Sequence, residues 1–599
     1  MGAIAAFIGD ADDRLIRLGA MLDAARHRGG AVAHVSVDRC SLGAVWNPGL
    51  PDIAIGTADD LGVVVTGSID NQAELAKRYS VPPRSAEASG AHASVALIAA
   101  MYRAHGPDLP SYLRGVFAGI ITDGSQAFCF RDHLGHRPLF YRHDAHGFWA
   151  ASEPKQIVAG AGLPREPDLA VIEAIFYRSL NDDSPAALRG VKRLPKMHGL
   201  IADRGGAERR KYWFPERLLE TASFTESELQ ERFDQAMGTA VRRSLTGSDV
   251  VFLSGGIDSP AIAAYAAPLH RDRYHRPLEA VTIEFPRYPS VDESRYVKLL
   301  ADYYGMPLHA YEQQANATAD FERWTALVDT PYRAASLSQY EEAFRRVRDL
   351  GFRNILTGEH AEFLMAISWF TLSHYLSHGR VGSAWREVRA HRAKGRSWLE
   401  ILRRAVRAVS PDSAISASDR LRGKRSPLVP LWVDERIATE DRPVPIRERW
   451  RRSQLGAFIG PGTSLEAEEI CQGVSGITVR RPWTDVDLWE LFLSLRAEQK
   501  FPDLRSKPLV RDLLRNRVPN EILDRTDKTV FDAAARDRID YDLLAGLLLR
   551  PAYRMRGVDY AALGDLIRQR SLTMLDYQWA RDLANIHAFL AQWEEQAGT

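Results

Sequence analysis

The chain has 599 residues, 45% hydrophobic and 26% charged, with 78 Lys+Arg against 77 Asp+Glu. That length holds about two to four domains at ~150 residues each, in a composition ordinary for a soluble globular protein. The even charge balance argues against global attraction to nucleic acid or to an anionic membrane. Three scattered cysteines, Cys40, Cys129 and Cys471, are too few for a disulfide framework or a zinc site, which fits a reducing compartment. No apolar run reaches the ~20 residues that span a bilayer. Residues 1–13 lack a basic segment and turn acidic by Asp10, so they do not read as a signal peptide, and a cytoplasmic location is expected.

In chain order, the first ~200 residues read as β-rich. Residues 63–66, 116–122 and 127–131 are short apolar or alternating runs bounded by turn residues, and residues 93–105 have helical spacing. Thr225 with Glu228 makes a capping box, and Leu229, Phe233, Met237, Val241 and Leu245 follow on one helical stripe.

Residues 250–259 then read VVFLSGGIDS. An apolar strand ends in two glycines, an aspartate and a serine, and Pro260 opens an alanine-rich helix. A strand, a glycine turn and a helix N-terminus make a cradle for an anion such as phosphate. The glycines are expected to supply positive φ and close backbone approach, and Asp258 to supply a hard oxygen ligand for magnesium. The paired lysine and serine of the Walker loop are missing.

Residues 280–285 and 353–357 are two further buried-strand candidates. Strands alternating with helices imply a parallel α/β sheet whose ligand sits at the carboxyl ends of the strands. From residue 370 onward the pattern is helical. Residues 380–425 carry thirteen Lys/Arg against four Asp/Glu, which reads either as a solvated helical face or as a docking surface for an acidic peptide or departing phosphate.

Several of these runs resemble a known family. The SGGIDS loop resembles the signature of the ATP pyrophosphatases. His27-Arg28-Gly29, Gly115 to Ala118, the RDHLGHRPLFY run from Arg131 to Tyr141, and Ala151-Ser152-Glu153-Pro154-Lys155 together resemble the class II glutamine amidotransferase domain of asparagine synthetase. Residues 1–214 are therefore expected to be a domain of that Ntn, αββα type. The family's nucleophilic cysteine falls at Gly2, and Thr66-Gly67-Ser68 replaces its Asn-Gly-Glu glutamine loop. Glutamine hydrolysis is therefore expected to be absent.

Residues 215–599 resemble the synthetase half, an ATP-pyrophosphatase-type parallel α/β domain with helical additions and a basic insertion at about 370–430. Val291-Asp292-Glu293-Ser294, Thr357 to Glu362, Arg480 to Asp485, and Lys507 to Arg511 followed by Pro519, Arg525 and Lys528 carry the match. The resemblance implies ATP at Leu253, Ser254, Gly255, Gly256, Asp258, Ser259, Ile283 and Gly358. It implies magnesium at Asp258 and Glu362, and catalytic roles for Asp258, Glu359 and Lys528. Apart from the resemblance, Lys528 reads equally as a surface lysine. Glu362 replaces a family aspartate, and Phe363 replaces a family glutamate.

A synthetase without glutaminase chemistry resembles the members whose amine is not ammonia. The basic helical stretch resembles the lasso-peptide isopeptide-forming cyclases, which implies an ATP-dependent ligase that forms AMP and pyrophosphate and closes a peptide macrolactam. The expected partners are a leader-cleaved core peptide and the maturation protease of the same pathway, with no nucleic acid and no membrane. A β-lactam-forming or other amide ligase, and a nucleotide-binding scaffold without activity, stay open as alternatives.

Overall fold

The computed structural model describes the chain except residues 10–12, 51, 82–89, 182, 334–335, 366–369, 413, 416–424, 439–443, 459, 461, 526–531, 552 and 594–599. The N-terminal half is two antiparallel six-stranded sheets, face to face. Edge to edge, the first runs Lys192–Arg193, Phe140–Asp144, Gly147–Ala151, Ala3–Ile8, Cys40–Trp46, Ala31–Val37. The second runs Ala207–Lys211, His198–Ala202, Ala127–Arg131, Gly115–Thr122, Leu61–Ile69, Ile53–Ala58.

Strand periodicity sorts the side chains into layers. Ile4, Ala6 and Ile8 point inward to meet Val64, Ile120 and Cys129 of the other sheet. Phe7, between them in sequence, points outward onto Leu18, Met21 and Ile157 of flanking helices. On the far side, Val63 and Val65 pack on Val95, Ile98 and Met101 of the helix Gly90–His105. Both faces of each central strand are covered, so AIAAFI is apolar throughout rather than alternating. The expected αββα sandwich is present.

The C-terminal half is built on five parallel strands: β1 (Asp249–Phe252), β2 (Glu279–Glu284), β3 (Leu308–Glu312), β4 (Asn354–Leu356) and β5 (Thr478–Arg480), in the order β3-β2-β1-β4-β5. The order reverses beside β1, so the loops leaving β1 and β4 lie side by side at the carboxyl edge, where such sheets bind ligands. The capping box of Thr225 and Glu228 is formed, and Leu229, Phe233, Met237 and Val241 are buried along the helix Glu226–Ser244. Residues 370–410 are helical, as Thr371–Ser377, Val381–Ala393 and Trp398–Val409. The last is not simply a solvated basic face, because Trp398, Leu399, Leu402 and Val406 are exposed along it. Among the described residues no helix is long and apolar enough to cross a membrane.

The two halves are joined by charge. The helix Thr463–Ser475 buries Glu466, Glu468 and Glu469. Arg193 meets Glu466 at 2.7 Å, and Arg28 and Arg137 meet Glu469 at 2.7 and 2.5 Å. Arg28 also holds Glu153 at 2.5 Å. Further out, Arg114 pairs with Asp487 at 2.9 Å and Arg480 with Asp70 at 2.5 Å. Removing one partner of such a buried set leaves charges with no solvent to fall back on. Glu469→Gln should therefore cost about 3–5 kcal/mol in chemical denaturation. A loss below 1 kcal/mol would show that the join does not depend on this carboxylate.

Candidate active site

The loop after β1 is tied to its surroundings by its own polar groups. The Ser254 amide donates to Ser259 Oγ at 2.9 Å, and the two serine hydroxyls lie 3.1 Å apart. The Gly255 amide donates to Glu293 Oε2 at 2.8 Å, and Arg525 clamps both Glu293 Oε1 (2.7 Å) and the Gly255 carbonyl (2.8 Å). Two of the amides expected to face phosphate are thus engaged within the protein. The exposed Gly256 and the first turn of the helix Asp258–Tyr274 remain for an anion.

The expected positive φ is not there, since neither Gly255 nor Gly256 has it. Gly255 is required by contact instead, because a β-carbon would stand 2.7 Å from Glu293 Cβ. Gly358, after β4, is pressed still harder, and its β-carbon would lie 2.4 Å from the Ser259 amide nitrogen. That contact locks the two loops together at the sheet edge.

Asp258 occupies the first helical position, its carbonyl accepting from Trp483 Nε1 at 3.1 Å. Both of its carboxylate oxygens are held by Lys507 Nζ. Glu362 opens on solvent in the same cleft. Its carboxyl is raised above the usual range by desolvation first, and also by the nearby charges of Asp258 and Glu359. Two carboxylates that repel one another suit a divalent cation, which relieves the repulsion. They are only a pair, and among the described residues no group of three or more His, Cys, Asp or Glu is assembled for a metal. Lys528 lies outside the described residues.

Glu359 is held by Arg481. Its Oε2 accepts from Arg481 Nε at 2.8 Å, and Arg481 also holds the buried Glu468. Burial pushes the Glu468 carboxyl up to about 7, with Arg481 opposing the rise and Glu359 adding to it. His360 follows in the left-handed region at φ 70°. Phe363 is exposed.

Leu253, Ser254 and Ile283 line one cavity of about 690 Å³, together with Gln313, Arg333 and Arg538. Its size, and a lining that mixes apolar side chains with arginines and amides, suit a nucleotide. Ile283 stands on β2 one strand from the loop, which accounts for its presence beside Leu253. Glu293, Arg525, Lys507, Trp483 and Arg481 belong to the site although they were expected only as parts of matching motifs. Each arrives from a distant stretch of chain, so no local spacing announces its contact.

The corresponding edge of the N-terminal half is filled. A β-carbon on Gly2 would stand 2.5 Å from Ile53 Cγ1 and 2.8 Å from Trp46 Cβ. The Gly2 amide donates to Asp52 at 2.9 Å, and its carbonyl accepts from Thr66 Oγ1 at 3.0 Å. Ser68, at the family glutamate's place, spends its hydroxyl on Asp70 at 2.5 Å.

An αββα sandwich, joined to a parallel sheet that presents a Ser-Gly-Gly-x-Asp-Ser loop at its switch point, defines a two-domain, amidotransferase-type synthetase. Residues 232–595 match the asparagine synthase family model and residues 1–213 the glutamine amidotransferase domain model. The chain belongs to the asparagine synthase family. It is 26% identical over 447 residues to asparagine synthetase (glutamine-hydrolyzing) 3 of Bacillus subtilis, covering 70% of this chain and 67% of that protein. It is 26% identical over 285 residues to amidase chry2 of Gibberella zeae, covering 44% and 42%. It is 25% identical over 283 residues to putative asparagine synthetase (glutamine-hydrolyzing) 2 of Methanocaldococcus jannaschii, covering 46% and 52%. The matches to the last two thus span about half or less of those relatives' length. The family uses ATP and makes amide bonds.

The two glycines should part company under substitution. Gly358→Ala drives a methyl into the backbone of the neighbouring loop and should cost roughly 1–3 kcal/mol and abolish nucleotide binding. Gly256→Ala meets nothing nearer than Ser254 Oγ at 3.6 Å and should fold normally. Thermal unfolding with and without ATP reads both. Equal behaviour of the two variants would contradict the packing assigned to Gly358.

Proposed function

We propose that the protein is an ATP-dependent ligase that adenylates an Asp or Glu side chain of a peptide and closes it onto the peptide's own N-terminal amine. The observation that carries this reading is the contrast between the two halves. The synthetase half carries the Ser-Gly-Gly-x-Asp-Ser loop, the Asp258 and Glu362 carboxylates and a cavity lined by Leu253, Ser254 and Ile283, whereas the position of the glutaminase nucleophile is Gly2, walled in by Ile53 and Trp46. Ammonia from glutamine is then not the amine, and another nucleophile must enter the cleft.

A carboxylate does not acylate amines because oxide is a poor leaving group. Attack of the carboxylate oxygen on the α-phosphorus of ATP forms the acyl adenylate and releases pyrophosphate. Attack of the amine on the acyl carbon then forms the amide and releases AMP and a proton. Ser254, Ser259 and the Gly256 amide would bind phosphate oxygens. Lys507, beside Asp258, would stabilise negative charge as it moves onto the leaving groups. Asp258 and Glu362 would hold magnesium, which when bound neutralises the pyrophosphate. Lys528 would meet charge on the adenylate, and Glu359, fixed by Arg481, would orient the acceptor. Holding a peptide with its amine at its own acyl carbon makes closure intramolecular, which is where the rate gain lies.

The leader-cleaved core peptide of a neighbouring precursor is the proposed substrate, and the protease that removes the leader the proposed partner. A β-lactam-forming ligase and an inactive scaffold are the competing readings. ATP–pyrophosphate exchange separates them. The core peptide should support exchange and lose one water, about 18 mass units, on closure. The N-acetylated peptide should support exchange without closure, and the peptide with Asn or Gln at the acceptor should support neither. Glutamine should stay intact, even with Gly2→Cys. Exchange with no peptide would point to a different acyl substrate, and release of glutamate from glutamine would sink the reading of Gly2.

A further inference from the structure

The helix Trp398–Val409 has two apolar faces, and the fold uses one of them. Its capping box of Ser397 and Glu400 is formed, so the helix starts cleanly. Ile401 is buried, and Ala405 and Ala408 pack on the cluster of Leu372, Tyr375 and Trp450. Trp398, Leu402, Val406 and Val409 recur at three- and four-residue steps on a second stripe, with Leu399 beside it, and all five are exposed.

The neighbouring helix Val381–Ala393 repeats the pattern. Ala384 is buried and Val388 packs beside it, whereas Val381 and Trp385, four residues apart, are exposed. The Trp385 and Trp398 rings stack with centroids 6.4 Å apart, which joins the two stripes into one patch. Val381, Trp385, Trp398, Leu399, Leu402 and Val406 are each more than half exposed. A lone surface leucine is ordinary, but a continuous apolar patch marks a binding face.

Cations border the patch. Arg389 and Arg392 stand one and two turns beyond Trp385, both exposed, and the Arg392 guanidinium lies 5.8 Å from the centre of the Trp398 ring. On the other side Arg403, also exposed, follows Leu402 and is turned about 100° from it around the helix. No carboxylate interrupts the patch. Glu387, two residues past Trp385, lines the cavity behind the helices. Glu400 is two residues from both Trp398 and Leu402, so it stands on the opposite side, where it accepts the Ser397 amide.

That charge selects the occupant. A second copy docked through the same face would bring like cations together across an isologous contact. An anionic surface removes the conflict. Indoles and leucines on one side of a short helix, with arginines at the edges, are the make-up of a helix that lies in the plane of a lipid surface. Its apolar side enters the acyl boundary, its guanidinium groups stay among the headgroups, and tryptophan is at home between the two.

We propose that the helices Val381–Ala393 and Trp398–Val409 form a peripheral docking face for an anionic lipid surface, with Trp385, Trp398, Leu402 and Val406 entering the lipid and Arg389, Arg392 and Arg403 meeting its headgroups. The proposal is independent of the ligase reading and needs no membrane-crossing segment. The even net charge of the chain does not oppose it, because beyond a Debye length of ~8 Å salt screens distant charges and the headgroups respond to the local ones.

Flotation with vesicles tests it on the full-length protein. Vesicles of phosphatidylcholine and phosphatidylglycerol in equal parts should bind the protein saturably, and vesicles of phosphatidylcholine alone at least tenfold more weakly. Leu402→Asp and Val406→Asp should each weaken binding at least tenfold, and Arg389→Ala and Arg403→Ala about fivefold each. All four positions are exposed, so Tm should stay unchanged, and the arginine variants carry the test should an aspartate disturb the fold. Lipids brominated on the acyl chain should quench tryptophan fluorescence, and the double variant Trp385→Phe with Trp398→Phe should lose that quenching. Absence of binding overturns the proposal, as does binding indifferent to Leu402→Asp. Binding without quenching overturns it too and leaves only adsorption by charge. Self-association in lipid-free sedimentation that Leu402→Asp abolishes would assign the face to a second copy instead. If the vesicles fail while an acidic amphipathic peptide of repeated Leu-Glu-Glu-Leu binds, and Leu402→Asp loses it, the face belongs to a protein partner and the lipid proposal falls.

Discussion

Two of three carboxylates buried on one helix, Glu466 and Glu469, join the halves of this molecule. Glu466, Glu468 and Glu469 stand within four residues on Thr463–Ser475, and none can reach bulk water. Each is tolerable only because arginines converge on it, Arg193 on the first, Arg481 on the second, Arg28 and Arg137 on the third. A single such pair adds little net stability, because desolvation offsets attraction. Its force is in specificity, since any arrangement that separates the halves strands several charges at once. The N-terminal half is therefore bound to a particular pose on the synthetase half.

Residues of the RDHLGHRPLFY run take part in that join. Asp132 accepts amide hydrogens from Leu134, His136 and Arg137 at 3.1, 3.0 and 2.9 Å and so ties off its own turn. Burial raises its pKa, but His136, Arg131 and those amides outweigh it and hold it at about 2. Arg137, in the same run, is one of the clamps on Glu469. Arg481 extends the network to Glu359, on the loop that flanks the nucleotide cleft. The sandwich braces the loop that flanks the candidate cleft, whether or not it keeps chemistry of its own.

What was legible in the sequence is what is local. The Thr225 and Glu228 capping box spans four residues and is formed, and the apolar run 127–131 is a strand with those same bounds. The SGGIDS loop sits at the strand-to-helix turn that its composition announces. The reason for its glycines was not legible, because their constraint is contact with Glu293 and with the loop after β4, not φ. Strands β3 and β5 carry no clear sequence signal, for different reasons. β5 has three residues, too short for any period, and β3 (LHAYE) alternates without being strongly apolar. Lys507 on Asp258 and Arg525 on Glu293 span more than two hundred residues of sequence. Such pairings follow from topology rather than spacing.

The central claim is that a peptide carboxylate oxygen attacks the α-phosphorus of ATP. Isotope transfer measures it most directly. A core peptide labelled with ¹⁸O at the acceptor carboxylate, incubated with the protein, ATP and magnesium, should give AMP that carries one ¹⁸O by mass spectrometry, alongside a ring that keeps the other. Unlabelled AMP, or label in inorganic phosphate with ADP as the coproduct, would contradict it.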